Sequence, residues 1–169
     1  GIQLVVDLFA TKFVDKIGYR VCVVAAHFFA AAGLAGLALL PGLFANPYTG
    51  LVAAVSLYAV GGGLIEVLIS PIVEACPTKN KEKEMSFLHS FYSWGQVLVV
   101  LLSTLFFSLI GLSHWRIAAC IWAAVPLLNA FYFMRVPIRK LVSEEEGLSL
   151  RALFSKKIFW VLILLMICA

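Results

Sequence analysis

The sequence predicts an all-α polytopic membrane protein. Of its 169 residues, 63% are hydrophobic and 13% are charged, and its mean hydropathy is +1.02. Soluble domains average about half hydrophobic and about a quarter charged residues. Four apolar runs are long enough to cross a hydrocarbon core of about 30 Å as helices. They extend over Val21–Phe44, Leu51–Cys76, Leu88–Leu112 and Trp115–Met134.

Two shorter apolar runs lie at the ends of the chain, Ile2–Val14 and Ile158–Ala169. At about 1.5 Å per residue, each reaches only about 20 Å as a helix. Since the chain also lacks an initiator Met, we expect an internal fragment of a larger protein, with four complete and two partial helices. The first run has neither a basic flank nor a small-residue cleavage site, which excludes a signal peptide.

The basic residues are concentrated on one side of the predicted membrane. If the first helix ends near Asp15, the loops Thr11–Arg20, Pro77–Ser86 and Arg135–Lys157 share that side and contain every Lys and Arg except Arg116. The positive-inside rule puts these loops in the cytoplasm of a multi-pass protein of the inner or plasma membrane. The net charge of +4 therefore reflects topology, and we expect the lipid bilayer rather than nucleic acid as a partner.

The longest loop is the predicted domain boundary. We expect a transmembrane bundle over 1–134, a central cytoplasmic loop over 135–157 and the start of a further helix over 158–169. Within the loop, Glu144–Glu146 precede Leu148, Leu150, Leu153 and Phe154. This pattern favours either an amphipathic surface helix or a solvated linker, and the sequence does not separate the two.

The second complete span carries an acid, Glu66, in the apolar run "VGGGLIEVLISPIVEACP". Four-residue steps place Gly62, Glu66, Ser70 and Glu74 on roughly one side of a helix. Pro71 lacks an amide proton, which leaves a spare carbonyl acceptor one turn beyond Glu66. We expect Glu66 to lie deep within the membrane, on a helix side that the glycine triplet leaves open, and a charge at this depth is a functional-site hypothesis by default. The alternatives are that Glu66 has only a structural role in helix–helix association and that Ser70 only forms a hydrogen bond to the backbone of its own helix.

The partial first helix has a similar layout, with Gln3, Asp7 and Thr11 at four-residue spacing. Asp7 lies eight residues before Asp15, just as Glu66 lies eight before Glu74, so both acids are roughly 12 Å from the inner boundary. Two acids at one depth provide a place to hold a proton, which proton coupling requires. A purely structural Asp7 is an equally good interpretation.

A polar stripe is predicted on the third complete span, which opens with "LHSFYSWGQ". It consists of His89, Tyr92, Ser93 and Gln96, followed by Ser103 and Thr104. Hydroxyl, amide, imidazole and aromatic groups together suit a sugar, whose faces are apolar and whose rim is polar. Trp94 favours a role in the interfacial aromatic belt. On the next span, Asn129 is a further candidate for the pathway, although an interhelical hydrogen bond is the more common role.

Other features of the spans favour packing. In "AAHFFAAAGLAGLA", Ala26 and Ala30, and Ala32 and Gly36, lie four residues apart, which allows close approach of another helix. His27 in the same run is expected to be a hydrogen-bonded structural residue rather than a proton carrier. The chain's Cys residues show no metal or redox spacing, and we expect reduced thiols.

The segment "TKFVDKIGYR", Thr11–Arg20, resembles the loop signature of the major facilitator superfamily, G-x-L-A-D-R-x-G-R-R, between the second and third helices of that family. Asp15, Lys16, Gly18 and Arg20 match, whereas Thr11 replaces the first glycine and Tyr19 replaces a basic residue. The resemblance implies an incomplete N-terminal six-helix bundle, from part of the family's helix 2 to the start of its helix 7. It also implies a cytoplasmic gating network of Asp15, Lys16, Gly18, Arg20 and Glu74.

Within the superfamily, "GGGLIEVLISP" followed by "LHSFYSWG" is similar to the fucose-permease-like sugar:cation symporters. This similarity implies a secondary active transporter that takes up a sugar or similar small polar solute by alternating access. The implied substrate- and proton-binding residues are Glu66, Asp7, Gln3, Ser70, His89, Tyr92, Gln96 and Asn129. No cofactor or metal is expected; the coupling ion is a proton, with sodium as the alternative.

Three alternatives remain open. One is an exporter of drugs or amphipathic compounds from the same superfamily, and another is a membrane bundle that does not transport. An intramembrane enzyme is disfavoured because neither H-E-x-x-H nor G-x-S-x-G occurs. Because alternating access needs two six-helix halves, we expect the C-terminal half as a partner, and a dimer of the fragment where that half is missing.

Overall fold

The computed structural model describes residues 10, 13–14, 16–138 and 155–161, and these residues are mainly helical. Four long helices are present: α1 (Tyr19–Leu43), α2 (Pro47–Glu74), α3 (Lys81–Ile110) and α4 (Trp115–Arg135). A short 3-10 helix, Leu112–His114, joins α3 to α4. All four long helices have the length and composition to cross a membrane. The predicted class, an all-α polytopic membrane protein, is therefore confirmed.

The turns between the helices are shorter than the sequence suggested. Pro41 lies within α1, and only residues 44–46 separate α1 from α2. The Asn46 side chain then accepts a hydrogen bond from the Tyr48 amide at 3.0 Å, with Pro47 in the first turn. This is the usual chemistry of a helix start, because Asn satisfies a free amide and proline has none to satisfy.

The charged segment Pro77–Ser86 was also predicted as a loop, yet its second half belongs to α3. The Asn80 side chain accepts from the Lys83 amide at 3.1 Å, and Glu82 and Glu84 occupy the first turn. Acidic residues at this position interact favourably with the positive end of the helix dipole. The helix therefore begins at Lys81, before the apolar run starts.

Helices α1 and α2 meet backbone to backbone along a seam of small residues. A Cβ atom on Gly61 would lie 2.7 Å from the carbonyl oxygen of Ala26 and would also collide with the Ala30 amide nitrogen. Gly33 and Gly50 are equally close to the opposite helix. Ala26 and Ala30 are buried as predicted, whereas Ala32 is exposed, so the pair with Gly36 does not form one packed face.

The other side of α1 packs against α4 through aromatic rings. The ring of His27 lies 5.1 Å from that of Phe133, and Phe28 meets Phe131 edge to face at 6.1 Å. An apolar cluster joins the inner parts of these helices to the preceding helical residues and contains Ala10, Val14, Cys22, Val23 and Leu68. Helix α1 is thus the centre of the bundle, with α2 and α4 beside it.

Helix α3 is different, since none of its residues is buried. Its contacts with α2 and α4 are few. One polar contact joins it to α4: the indole nitrogen of Trp122 donates to the Ser103 hydroxyl at 2.9 Å.

The chain divides into two compact units, Gly1–Arg139 and Lys140–Ala169. In the second unit the described residues are 155–161, of which 157–161 are helical. Residues 144–154, which the sequence predicts to be either an amphipathic helix or a linker, lie outside the described residues. The described thiols Cys22, Cys76 and Cys120 are free, in agreement with the prediction for those three.

Candidate functional site

Glu66 lies on the face of α2 that points away from α1. The face that contacts α1 includes Ala54, Gly61 and Leu68, and at about 100° per residue Glu66 is on nearly the opposite side. Its side chain is exposed, and Ser70 on the same face is half-buried. Among the described helices, α1 therefore packs on the side of α2 opposite to Glu66.

The glycine triplet has a packing role in addition to the predicted one. Gly61 and Gly63 are buried, and Gly61 is the close-approach residue of the α1–α2 seam. Gly62, four residues before Glu66, has open space where a Cβ atom would stand. The triplet therefore contributes to helix packing through Gly61 and leaves open space at Gly62, on the Glu66 side. Gln3 and Asp7, the other predicted residues of this site, lie outside the described residues.

The polar stripe of α3 is present and exposed. His89, Tyr92 and Gln96 are all exposed, Tyr92 to 76%. Ser93 donates to the carbonyl of His89 at 3.3 Å within the helix. Ser103, at the far end of the stripe, is the acceptor for Trp122 of α4. The stripe therefore has one end in contact with the bundle.

An apolar stripe runs along the opposite side of α3. Its members alternate at spacings of four and three residues and are all exposed: Phe87, Phe91, Trp94, Leu98, Leu101 and Leu105. Gln96 is about 160° around the helix from both Trp94 and Leu98, at about 100° per residue. Trp94 thus belongs to the apolar side, which fits the aromatic-belt interpretation.

Asn129 of α4 is exposed. Within the part of the chain that the structure describes, its side chain makes no hydrogen bond, so the interhelical bond expected as its common role is not seen there. The hydrogen bond between α3 and α4 uses Ser103 and Trp122 instead, a pair that no sequence motif singled out.

At the predicted cytoplasmic end, the signature segment is helical at residues 13–14 and 16–17, with a break at Gly18. The described residues of the predicted loop Thr11–Arg20 are therefore helical except Gly18. Gly18 has φ +95° and precedes the first residue of α1. Side chains other than glycine rarely adopt this conformation, which explains a glycine at this point of the signature. Asp15 lies outside the described residues.

The charged residues near this turn have partners that the sequence did not indicate. Arg20 donates through Nη2 to the carbonyl oxygen of Val136 at 2.9 Å, and Val136 is the C-cap residue of α4. A cation there interacts favourably with the negative end of the helix dipole. Glu74 forms an ion pair with Lys81 at 3.1 Å, and Lys16 is exposed.

His27 has the predicted structural environment. It is 5% exposed, and its Nδ1 lies 2.8 Å from the Val23 carbonyl oxygen. Since a carbonyl only accepts, this nitrogen is the protonated one. The ring packs against Phe133, so His27 helps to join α1 to α4.

An apolar groove of about 350 Å³ lies between the described helical residues before Gly18, α1 and α2. Phe13, Val14, Ile17, Val21 and Leu64 are among its lining residues, and none of the described residues that line it is charged.

Membrane-length helices, two of them packed through a glycine seam, define a helical membrane bundle. A family model described as the Major Facilitator Superfamily matches residues 2–169. The chain belongs to this superfamily of transporters and is an integral membrane protein; members of the superfamily are in general not enzymes. No curated protein matches the chain, and no solved structure matches it.

Proposed function

We propose that this chain is the N-terminal part of a secondary transporter that takes up a sugar or a similarly small polar solute together with protons, in the manner of the fucose-permease-like group. Glu66 carries the coupling proton, with Asp7 and Gln3 near it. Ser70, His89, Tyr92, Gln96 and Asn129 bind the solute. Sodium is the alternative coupling ion.

The observation that carries this proposal is the direction of Glu66. The carboxylate is on the exposed face of α2, eight residues before the helix ends at Glu74, or roughly 12 Å into the membrane at about 1.5 Å per residue. A charge that faced lipid at this depth would cost at least about 2.5 kcal/mol. The Glu66 face is therefore expected to adjoin protein or a watery cavity, which is where a transport pathway runs.

The polar stripe supports a polar solute. His89, Tyr92 and Gln96 provide donors and acceptors together with an aromatic surface, and they are turned away from the apolar stripe of α3. Such convergent polar groups with an aromatic wall are typical of small-molecule sites. An exporter of amphipathic compounds would rely more on apolar surface than on this stripe.

The test is Glu66→Gln in the full-length protein, reconstituted into liposomes and assayed with a panel of labelled hexoses. We expect Glu66→Gln to retain counterflow and to lose uptake driven by a pH gradient, because the amide cannot release a proton. Glu82→Gln is the matched control, since Glu82 is exposed in the first turn of α3 and should leave both activities intact.

Unchanged pH-driven uptake in Glu66→Gln would refute Glu66 as the coupling residue. Uptake that depends on a sodium gradient and not on pH would identify sodium as the coupling ion. If no hexose is transported and amphipathic compounds acidify the medium on addition, the exporter alternative is correct. Specific binding without flux would favour a bundle that does not transport.

We further propose that the basic ends of the helices are cytoplasmic and that Asp15, Lys16, Gly18, Arg20 and Glu74 form the gate there, against the C-terminal half of the protein. The domain limits proposed above, 1–134, 135–157 and 158–169, follow from this arrangement. Single cysteines at Lys79 and Ser113 test the sidedness. An impermeant maleimide added outside intact cells should modify the second and not the first.

A further inference from the structure

We propose that Lys81 is a further residue of the cytoplasmic gate, where it competes with Arg20 for Glu74 and so favours the open gate. This inference rests on the proposed function, because the gate itself belongs to that proposal. Lys81 was singled out by no motif of the sequence. The observation that points to it is an ion pair, in which the Lys81 Nζ lies 3.1 Å from the Glu74 Oε1.

The ion pair is formed within a single hairpin of the chain. Glu74 is the last residue of α2 and Lys81 is the first residue of α3. The turn between them has hydrogen bonds of its own: the Asn80 amide donates to the Thr78 hydroxyl at 3.3 Å, and the Asn80 side chain caps α3. The local structure of the hairpin therefore positions Lys81 beside Glu74.

Arg20, the cation that the gate signature associates with Glu74, has a different partner. Its Nη2 donates to the Val136 carbonyl oxygen at 2.9 Å, which joins the first turn of α1 to the end of α4. The last carbonyls of a helix have no donor within that helix, and Pro137, which follows, has no amide proton. A guanidinium is therefore a suitable donor for this carbonyl, and the bond holds Arg20 toward α4.

The inner ends of α1 and α2 nevertheless lie together. Tyr19 of α1 and Ile72 of α2 pack against the same apolar cluster. Arg20 is next to Tyr19 in the chain, and Glu74 is two residues beyond Ile72. The two gate charges are thus on neighbouring helix ends, so that changes in their side-chain conformations can bring them together.

A gate that closes when Arg20 meets Glu74 has to exchange both of the contacts described above. Arg20 leaves the Val136 carbonyl, and Glu74 leaves Lys81. Since both side chains of the ion pair are half exposed, solvent screens it, and such a pair changes an equilibrium by no more than about fivefold. Lys81 is therefore strong enough to shift the balance between open and closed gates, and weak enough to be displaced in each transport cycle.

The experiment measures how often the cytoplasmic side of the pathway is open. Ser93→Cys, on the inner part of the polar stripe, is introduced into the full-length protein without its native cysteines, in inside-out vesicles. An impermeant maleimide reaches this cysteine through an open gate. We expect Lys81→Gln to slow the labelling by about two- to fivefold, because Glu74 is then released to Arg20. Lys81→Arg keeps the cation and should keep the original rate.

Two comparisons separate competition for Glu74 from a general loss of charge. Lys83→Gln removes the same charge from the same turn of α3, where Lys83 is exposed, and should leave the rate unchanged. Arg20→Gln should raise the rate, and in that background Lys81→Gln should have no further effect, because the competing cation is gone. An equal slowing by Lys81→Gln with and without Arg20 would overturn the proposal. Faster labelling in Lys81→Gln alone would also overturn it, since Lys81 would then stabilise the closed gate.

Transport kinetics give a second readout that does not depend on the label. The apparent affinity at each face of the membrane follows the fraction of molecules open to that face. In Lys81→Gln we therefore expect the KM for uptake of a transported hexose to fall and the KM for its efflux to rise. Poor folding would lower kcat without moving the two KM values in opposite directions, and unchanged KM values at both faces would contradict the role of Lys81.

The two readouts also separate this inference from the proposed function. If no hexose is transported, the proposed substrate is wrong, and the labelling rates still decide the role of Lys81. If the cysteine at 93 is not labelled in the parent protein, the proposed pathway along α3 is wrong, and the two KM values decide it.

Discussion

The contact between α1 and α2 at Gly61 makes a quantitative prediction about stability. In Gly61→Ala the new Cβ atom would lie 2.7 Å from the Ala26 carbonyl oxygen, whereas ordinary van der Waals contact begins at 3.4 Å. The obstacle is the backbone of α1, so no side chain can turn aside. The helices must separate by at least about 0.7 Å at this level, and a gap of that size forfeits roughly a quarter to a half of the dispersion energy of each affected atom pair.

We therefore expect Gly61→Ala to lower the free energy of unfolding by about 1–3 kcal/mol, the usual cost of overpacking a tight interface. Gly62→Ala is a close control, because Gly62 is the next residue of the same helix and has nothing within 4 Å of the added Cβ atom. Alanine also favours the helix over glycine by up to about 1 kcal/mol, and this gain is common to both variants. Their difference therefore isolates the packing term.

Reversible unfolding of the full-length protein in mixed detergent micelles, followed by circular dichroism, measures both variants. The expected order of stability is Gly62→Ala at or above the wild type, then Gly61→Ala well below it. Equal stability of the two variants, or a greater loss in Gly62→Ala, would refute the close approach at Gly61.

Three further predictions concern the other end and the middle of the bundle. Gly18→Ala should lower the free energy of unfolding by about 1–3 kcal/mol in the same assay, because Gly18 has a positive φ; an unchanged free energy of unfolding would mean that the turn does not need that conformation. A double-mutant cycle on Glu74 and Lys81 should give a coupling below about 1 kcal/mol, since both side chains are half exposed and solvent screens the pair; a larger value would indicate a buried network. His27→Gln should leave the pH profile of transport unchanged, because His27 is occupied with Val23; a shifted profile would give His27 a part in proton movement.

The helices could be predicted from the sequence because hydropathy and length determine which segments span a membrane. Their ends could not be placed as well from apolar runs, because polar caps extend a helix beyond its apolar part. Asn80 and the acids after it were readable as a helix start, and they account for the residues of α3 that hydropathy assigned to a loop.

The candidate site was harder to predict than the helices. Spacing alone put Glu66 and Ser70 on one side of α2, and the structure agrees, but spacing does not say which side another helix will cover. That choice is made by Gly61 against Ala26 and Ala30, and it turns Glu66 outward. The bond from Trp122 to Ser103 escaped notice for a similar reason, because it joins two helices whose relative rotation no local pattern encodes.

The seam of α1 and α2 has a consequence for how the protein is made. The two helices are adjacent in the chain, and residues 44–46 alone separate them, so their backbones can meet as soon as both have left the ribosome. Membrane helices insert first and associate afterwards. Both helices of this hairpin are complete before α3 is synthesised, so their contact can form without it. Helix α4, arriving last, then docks its aromatic rings on an α1 whose other side is already occupied.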